Sequence, residues 1–325
     1  MSVRPRSVLA AAAAVALLAA GCSAGSGDAE ADGVRIGVTQ IVTHPSLDLV
    51  VQGFKDALAD AGIEATYSEH NAQGESSNAA TIAGALRDDA NLDLVLAVAT
   101  PTAQAAVAAV TEIPVLFAAV TDPVSAELVP SWEASGTIVT GTSDLNPEAR
   151  PLEMIREIVP GATTIGVLYS SSEVNSEVQV AALEEQAGPL GMTIRRSAIT
   201  NSSEVATGAQ ALAGVDAIYI PTDNTVVSAL EALVDFAQTN QIPLFSADTD
   251  SVSRGVIASR GVDYYALGRH TGEMAVRILT GEAEAGEIPT LVVTDTQIVV
   301  NPTAAASQGV TLGEELLAGA EVVGE

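Results

Sequence analysis

"VRIGVTQ" at Val34–Gln40 and "TTIGVLY" at Thr163–Tyr169 decide the fold. Both are short apolar runs of the kind that forms a strand buried on two faces. Ile36-Gly37-Val38 aligns with Ile165-Gly166-Val167 at an offset of 129 residues. Each run leads through a loop into an amphipathic helix. The helices run out at "DAGIEATY" (Asp60–Tyr67) and "PLGMTIRR" (Pro189–Arg196). Gly62 and Gly191 keep the same offset, and glycine there suits the position just past a helix end. Further on, "LDLVLAVATPT" (Leu92–Thr102) parallels "VDAIYIPTDNT" (Val215–Thr225). "IPVLFAAVTDPVS" (Ile113–Ser125) then parallels "IPLFSADTDSVS" (Ile242–Ser253), with Pro114 and Pro243 restoring the offset.

Each copy therefore reads strand, helix, strand, helix, strand, helix, strand. Apolar strands alternating with helices indicate parallel βαβ units covered on both faces. Right-handed crossovers then wind a sheet in each half. The expected fold class is α/β, with two doubly wound Rossmann-like lobes joined by hinge strands. After the second copy, "GVIASRGVDYYALGRHTGEMAVRILTGE" (Gly255–Glu282) adds a strand and a helix. "TLVVTDTQIVVNP" (Thr290–Pro302) adds one more strand before a C-terminal helix around Leu312–Val322. By analogy with two-lobed proteins of this plan, the chain returns to the first lobe and crosses again. The expected lobes are residues 33–145 plus about 256–290, and residues 146–255 plus about 291–325.

The N-terminus reads differently. "LLAAGCSAGSG" (Leu17–Gly27) holds the single cysteine of the chain. Arg4 and Arg6 precede an Ala/Val/Leu run from Ser7 to Ala20, the length of a signal-peptide core and short of the ~20 residues a spanning helix needs. Ala19, Ala20 and Gly21 lead into Cys22, as in a bacterial lipobox, although the usual leucine sits one place early, at Leu18. Residues 1–21 are expected to be a lipoprotein signal peptide and Cys22 the lipidated residue. Residues 22–32, poor in apolar side chains, are expected to be a flexible tether. The expected location is extracytoplasmic, lipid-anchored to the cell membrane, since two acyl chains suffice for stable anchoring.

Thirteen basic against 41 acidic side chains give a formal charge of -28, and Lys55 is the sole lysine. Such a chain is repelled by phosphate backbones, so no nucleic-acid partner is expected. There is no Walker loop or HExxH, and the three histidines are isolated. No enzyme, cofactor or metal site is expected.

Ligands of open parallel sheets bind beyond the carboxyl ends of the strands. Those ends carry Thr39, Gln40, Thr100, Thr121 and Asp122 in the first copy, and Ser171, Asn175, Thr222, Asp223 and Asp248 in the second. Hydroxyls beside helix N-termini suit a carboxylate, and an aspartate suits an ammonium, so the set fits a zwitterion. The same residue types are preferred helix caps, which is the competing reading for each of them. Tyr219 sits mid-strand, where core packing competes with ring stacking on a ligand.

"IGVTQIVTHPSLDLVVQGFKDAL", "ATPTAQAA", "FAAVTDPV", "SSSEVNS", "IPTDNTVVSALEALV" and "ADTDSVSRG" together resemble the substrate-binding proteins of ABC transporters, in the family that includes tryptophan and tyrosine binders. The likeness spans Gly33–Asn301. It implies a type I periplasmic binding protein fold and a monomeric, bilobed receptor. Such a receptor closes on a small ligand, an amino acid here, and delivers it to a permease and its ATPase in the membrane. The ten strand-end residues become expected cleft residues. Asp223 is expected to take the α-ammonium, and hydroxyls of Ser171, Thr100 or Thr121 the α-carboxylate. A ligand-sensing lipoprotein signalling to a membrane receptor, or a nucleoside-like or heterocyclic ligand, are the alternatives.

Overall fold

The computed structural model describes residues 33–146 and 150–324, so the leader, Cys22 and the tether lie outside the described residues. The first copy runs β1 (Val34–Gln40), α1 (Pro45–Asp60), β2 (Ala65–Asn71), α2 (Ser76–Asp88), β3 (Leu94–Val98), α3 (Thr100–Ala109) and β4 (Val115–Ala118). A fifth strand, β5 (Val139–Ser143), completes it before α4 (Pro151–Ile158). The second copy runs β6 (Thr164–Ser170), α5 (Val174–Ala187), β7 (Thr193–Ile199), α6 (Val205–Gln210) and β8 (Ala217–Ile220). Two helices, α7 (Asn224–Ser228) and α8 (Leu230–Asn240), then precede β9 (Leu244–Ser246), α9 (Asp250–Ser253) and β10 (Ala258–Val262). The chain ends through α10 (Tyr264–Leu279), β11 (Leu291–Val292), β12 (Thr296–Val300), α11 (Pro302–Ser307), α12 (Glu314–Ala318) and β13 (Glu321–Val322).

Two sheets result. Their orders are β11-β5-β4-β3-β1-β2 and β13-β12-β10-β9-β8-β6-β7, parallel throughout except where β10 meets β12. Both copies thus follow the doubly wound order 2-1-3-4-5. The pleat sends alternate side chains to opposite faces. Leu94, Leu96 and Val98 pack with Leu47, Val50, Phe54 and Leu58 of α1, whereas Val95 and Ala97 pack with Ala103 and Ala106 of α3. In the second sheet Ile165, Val167 and Tyr219 join Leu183 of α5, and Leu168, Ile218 and Leu244 join Leu233 of α8. Gly62 and Gly191 hold φ of 74° and 67°, the left-handed geometry their sequence positions predict.

The lobe boundaries fall a strand away from the expected ones. The strand Ala258–Val262 pairs in parallel with β9, so it completes the second sheet as β5 completes the first, and the return to the first lobe begins at Asp263. Likewise Leu291–Val292 pairs with β5, and the last crossing falls between Val293 and Thr296. The three crossings are tied side by side: Asp263 N–H donates to Asp295 O at 2.8 Å, and Asn146 Nδ2 donates to Arg260 O at 3.3 Å.

Helix α10 packs across α1 in near backbone contact. A Cβ placed on Gly268 would stand 2.1 Å from Val50 O, and one on Gly53 would stand 2.2 Å from Tyr265 O. This close crossing fixes the start of α10, and with it Tyr264, at the strand ends.

Candidate functional site

The carboxyl ends of both sheets meet in a cleft with two adjoining cavities. The larger, about 150 Å³, has an aromatic and aliphatic wall from Tyr219, Tyr264, Leu183, Ala247 and Val262. Its polar groups include Thr121, Asp144, Thr222 and Arg260. The smaller, about 20 Å³, brings His44 of the first lobe against Asn175, Asp223, Asn224 and Asp248 of the second. Asp144, Thr222 and Tyr264 line both.

Buried polar atoms without a protein partner gather at these strand ends. Among the described residues they include the hydroxyls of Thr39, Thr100 and Thr121 and Asp144 Oδ1 from the first lobe. The second lobe contributes Asn175 Oδ1, Asp248 Oδ1 and Arg260 Nε. An unsatisfied buried polar group costs roughly 1–3 kcal/mol, so a cluster is sustained where a ligand or water completes it. Carboxylate oxygens, hydroxyls and a guanidinium N–H beside two tyrosine rings suit a zwitterion bearing a ring. The backbone is also strained here: Ala99 holds φ 77° and ψ 156° at the end of β3, and Ala119 holds φ 54° at the end of β4. Such geometry costs roughly 1–3 kcal/mol per residue and concentrates at binding sites.

The expected cleft residues divide. Thr121, Asn175, Thr222, Asp223 and Asp248 line the cavities. Thr39 and Thr100 are buried with unpaired hydroxyls, yet line neither cavity. Gln40 Nε2 is spent on Val42 O at 2.7 Å and Asp48 Oδ1 at 2.8 Å. Asp122 caps its own turn, accepting from the N–H groups of Val124 and Ser125 at 3.0 Å and the Ser125 hydroxyl at 2.7 Å. Ser171 is exposed and donates to Ile199 O at 3.2 Å. Gln40, Asp122 and Ser171 are thus engaged by protein groups here, and Asp122 among them makes the capping contacts that compete with ligand binding for residues of its type.

Asp223 is the larger departure. Its Oδ1 accepts from Val226 N–H at 2.8 Å, and its Oδ2 accepts from Ser170 N–H at 2.5 Å and the Ser176 hydroxyl at 2.7 Å. Both oxygens are committed to the protein, which argues against the ammonium role. Burial, and then the charge of Glu173, push the Asp223 carboxyl up to about 7. Glu173 is equally occupied: Oε1 accepts from Thr225 N–H at 2.9 Å and its hydroxyl at 2.7 Å, Oε2 from Asn224 Nδ2 at 2.6 Å and Asn175 Nδ2 at 2.9 Å. Together the two carboxylates tie the start of α7 to α5 and to the end of β6.

Asp144, Tyr264 and Arg260 are not among the ten strand-end residues expected in the cleft, and Tyr219 is the mid-strand ring for which stacking competes with core packing. Asp144 stands one residue past β5, beyond the four strands per copy read from the repeat; "VTGTSD" (Val139–Asp144), a buried strand ending in an acid, carries the signal. Its Oδ2 accepts from the Tyr264 hydroxyl at 3.2 Å, and burial pushes its carboxyl up. His44 Nε2 meets Asn224 Oδ1 across the cleft at 3.5 Å, and burial lowers its pKa, favouring the neutral imidazole.

The sequence pattern of the ABC transporter substrate binding protein family matches residues 35–323. A tyrosine-binding protein from Clostridioides difficile (strain R20291) is 39% identical over 272 residues, covering 82% of this chain and 78% of that protein. The crystal structure of an ABC domain in complex with L-Trp from Streptococcus pneumonia superposes with a TM-score of 0.85 at 37% identity, over 90% of this chain and 99% of that one. The ligand-free, open structure of a substrate binding protein with adhesive properties from Clostridium difficile covers the same shares at 40% identity, with a TM-score of 0.68. Identity and coverage are nearly equal, so the difference in score is one of arrangement. The lobes here lie nearer the ligand complex than the open form.

Proposed function

Because the chain belongs to the family of ABC transporter substrate-binding proteins, built on the type I periplasmic binding protein fold and binding solutes rather than transforming them, we propose that it is the extracytoplasmic receptor of an importer for an aromatic amino acid, tyrosine or tryptophan. The observation that carries this reading is the cluster of unpartnered buried polar atoms, drawn from both lobes, around a cavity walled by Tyr219 and Tyr264. The named partners of the two relatives, tyrosine and L-Trp, agree with that chemistry.

The ring lies against Tyr219 and Tyr264, where offset aromatic pairs add roughly 0.5–1.5 kcal/mol beyond burial. Its polar head meets the unpaired groups at the strand ends, with Thr121 and Arg260 as donors for the carboxylate. A ligand that touches both lobes favours the closed form by its differential affinity for it. The closed receptor then presents its cargo to the permease, whose ATPase drives import. Lipidation at Cys22 and the tether that follows keep the receptor near the permease and raise its effective concentration there.

Titration calorimetry on the mature chain, refolded to strip the cleft, tests the ligand. Saturable one-to-one binding of L-tyrosine or L-tryptophan is expected, with uridine and glucose silent. Silence toward both amino acids, or binding of uridine instead, would overturn the reading. Uptake of labelled tyrosine and tryptophan by cells carrying Cys22→Ala tests the anchor: uptake is expected to fall, and the receptor to appear in the medium.

A further inference from the structure

Among the described residues, three side chains line both cavities, and Asp144 is the carboxylate among them. Asp144 is 5% exposed, its Oδ2 is held by the Tyr264 hydroxyl, and its Oδ1 forms no hydrogen bond, although the Thr121 hydroxyl stands beside the carboxylate. A neighbouring hydroxyl leaves the charge of a buried carboxylate unpaired, and a cationic group of a ligand would pair it.

The other cleft carboxylates fit this role less well. Asp223 and Glu173 have both oxygens engaged by protein donors. Asp248 has a free Oδ1, but it lines only the 20 Å³ cavity, which has room for about one water. Asp144 instead faces the cavity with space for a ring and the junction between the two. Its place in the chain matters as well. It stands on the first crossing between the lobes, and Tyr264 follows Asp263 on the second.

Resting on the amino-acid reading of the cleft, we propose that Asp144 is the residue that selects for the ligand's α-ammonium group, oriented by the Tyr264 hydroxyl. The ammonium then completes Asp144 Oδ1 and draws the two crossings together in the closed form. Asp223, the acid that the strand-end pattern singles out, holds the second-lobe wall.

The test pairs a ligand change with a residue change. Titration calorimetry measures L-tyrosine and its des-amino analogue, 3-(4-hydroxyphenyl)propionate, on the wild-type mature chain and on Asp144→Asn, Asp248→Asn and Tyr264→Phe. Wild type is expected to prefer L-tyrosine by about tenfold or more, the worth of a hydrogen bond to a charged group. In Asp144→Asn that preference is expected to fall to within about threefold, half a decade in affinity. Asp248→Asn is expected to weaken both ligands alike and keep the ratio. Tyr264→Phe, which preserves the ring and removes only the hydroxyl, is expected to give an intermediate ratio, and it keeps the test open should Asp144→Asn not fold. A preference retained in Asp144→Asn, lost in Asp248→Asn or unmoved in Tyr264→Phe would overturn the assignment. Failure of wild type to bind either tyrosine or tryptophan would instead overturn the amino-acid reading, and this inference with it.

Discussion

Gly268→Ala separates what local propensity predicts from what the fold predicts. In a helix interior alanine is better than glycine by about 1 kcal/mol, so residue 268, inside α10, looks improvable. The packing says otherwise. A Cβ there would stand 2.1 Å from Val50 O and 2.8 Å from its Cα and carbonyl carbon, all backbone atoms of α1. Carbon–oxygen contacts settle at about 3.3 Å or more, so the two helices must part by roughly 1 Å. Overpacking of this kind typically costs 1–3 kcal/mol, and the upper part of that range applies where no side chain can rotate away. After the gain in propensity, a net loss of about 1–2 kcal/mol is expected, or roughly 2–8 °C in Tm for a chain of this size. Gly84→Ala in α2 is the matched control, because a Cβ there meets nothing within 4 Å. It should stabilise by up to about 1 kcal/mol. Thermal unfolding of the three ligand-free proteins makes the comparison. A Gly268→Ala protein as stable as wild type would refute the close crossing, and with it the argument for how Tyr264 is placed.

Ala99→Gly should stabilise the chain by about 1 kcal/mol, because glycine relieves the φ 77°, ψ 156° backbone and part of that gain is offset by a freer unfolded chain. A lower midpoint in urea would count against strain at this strand end. Glu173→Gln should cost about 2 kcal/mol or more, since an amide nitrogen would face donors that now converge on a carboxylate; an unchanged urea midpoint would contradict that. Asp223 gives a pH signature. Its folded carboxyl is pushed up to about 7 from an ordinary value of 3.8, so between those values the folded state holds the extra proton. Its contribution is fully favourable below about pH 4 and is lost as pH rises to about 7. Urea unfolding at pH 5 and pH 8 should show a decline in wild type that is smaller in Asp223→Asn; equal declines would remove Asp223 as its source.

The architecture is readable in the sequence because buried parallel strands are nearly continuous apolar runs, and the duplication prints each landmark twice. Val34–Gln40 and Thr164–Ser170 are strands, and both copies wind in the same order. The fifth strand of each copy is harder to see. "VTGTS" and "ASRGV" are small and polar, because they lie at the crossings and pack against backbone rather than offering a large apolar face. Gly141 shows this directly: a Cβ there would stand 2.0 Å from Phe117 O. Missing those strands moves the lobe boundaries and hides Asp144.

The site is legible by region and not by role. Strand-end position locates Thr121, Asn175, Thr222 and Asp248 at the cavities, since topology fixes where carboxyl ends converge. Whether a given aspartate faces a ligand or caps a helix depends on which donors surround it, and those come from distant segments. Asp223 illustrates the point, with Ser170 and Ser176 lying 53 and 47 residues away in sequence. Tyr219 shows the reverse case: mid-strand and 3% exposed like a core residue, it still presents its ring to the cavity.

Small-angle scattering on the mature chain, stripped of ligand by refolding and then saturated with L-tyrosine or L-tryptophan, reads out closure itself. A smaller radius of gyration is expected with ligand, and a ligand-bound profile that matches the arrangement of lobes described above. Saturable binding with an unchanged profile would contradict a receptor that closes on its cargo.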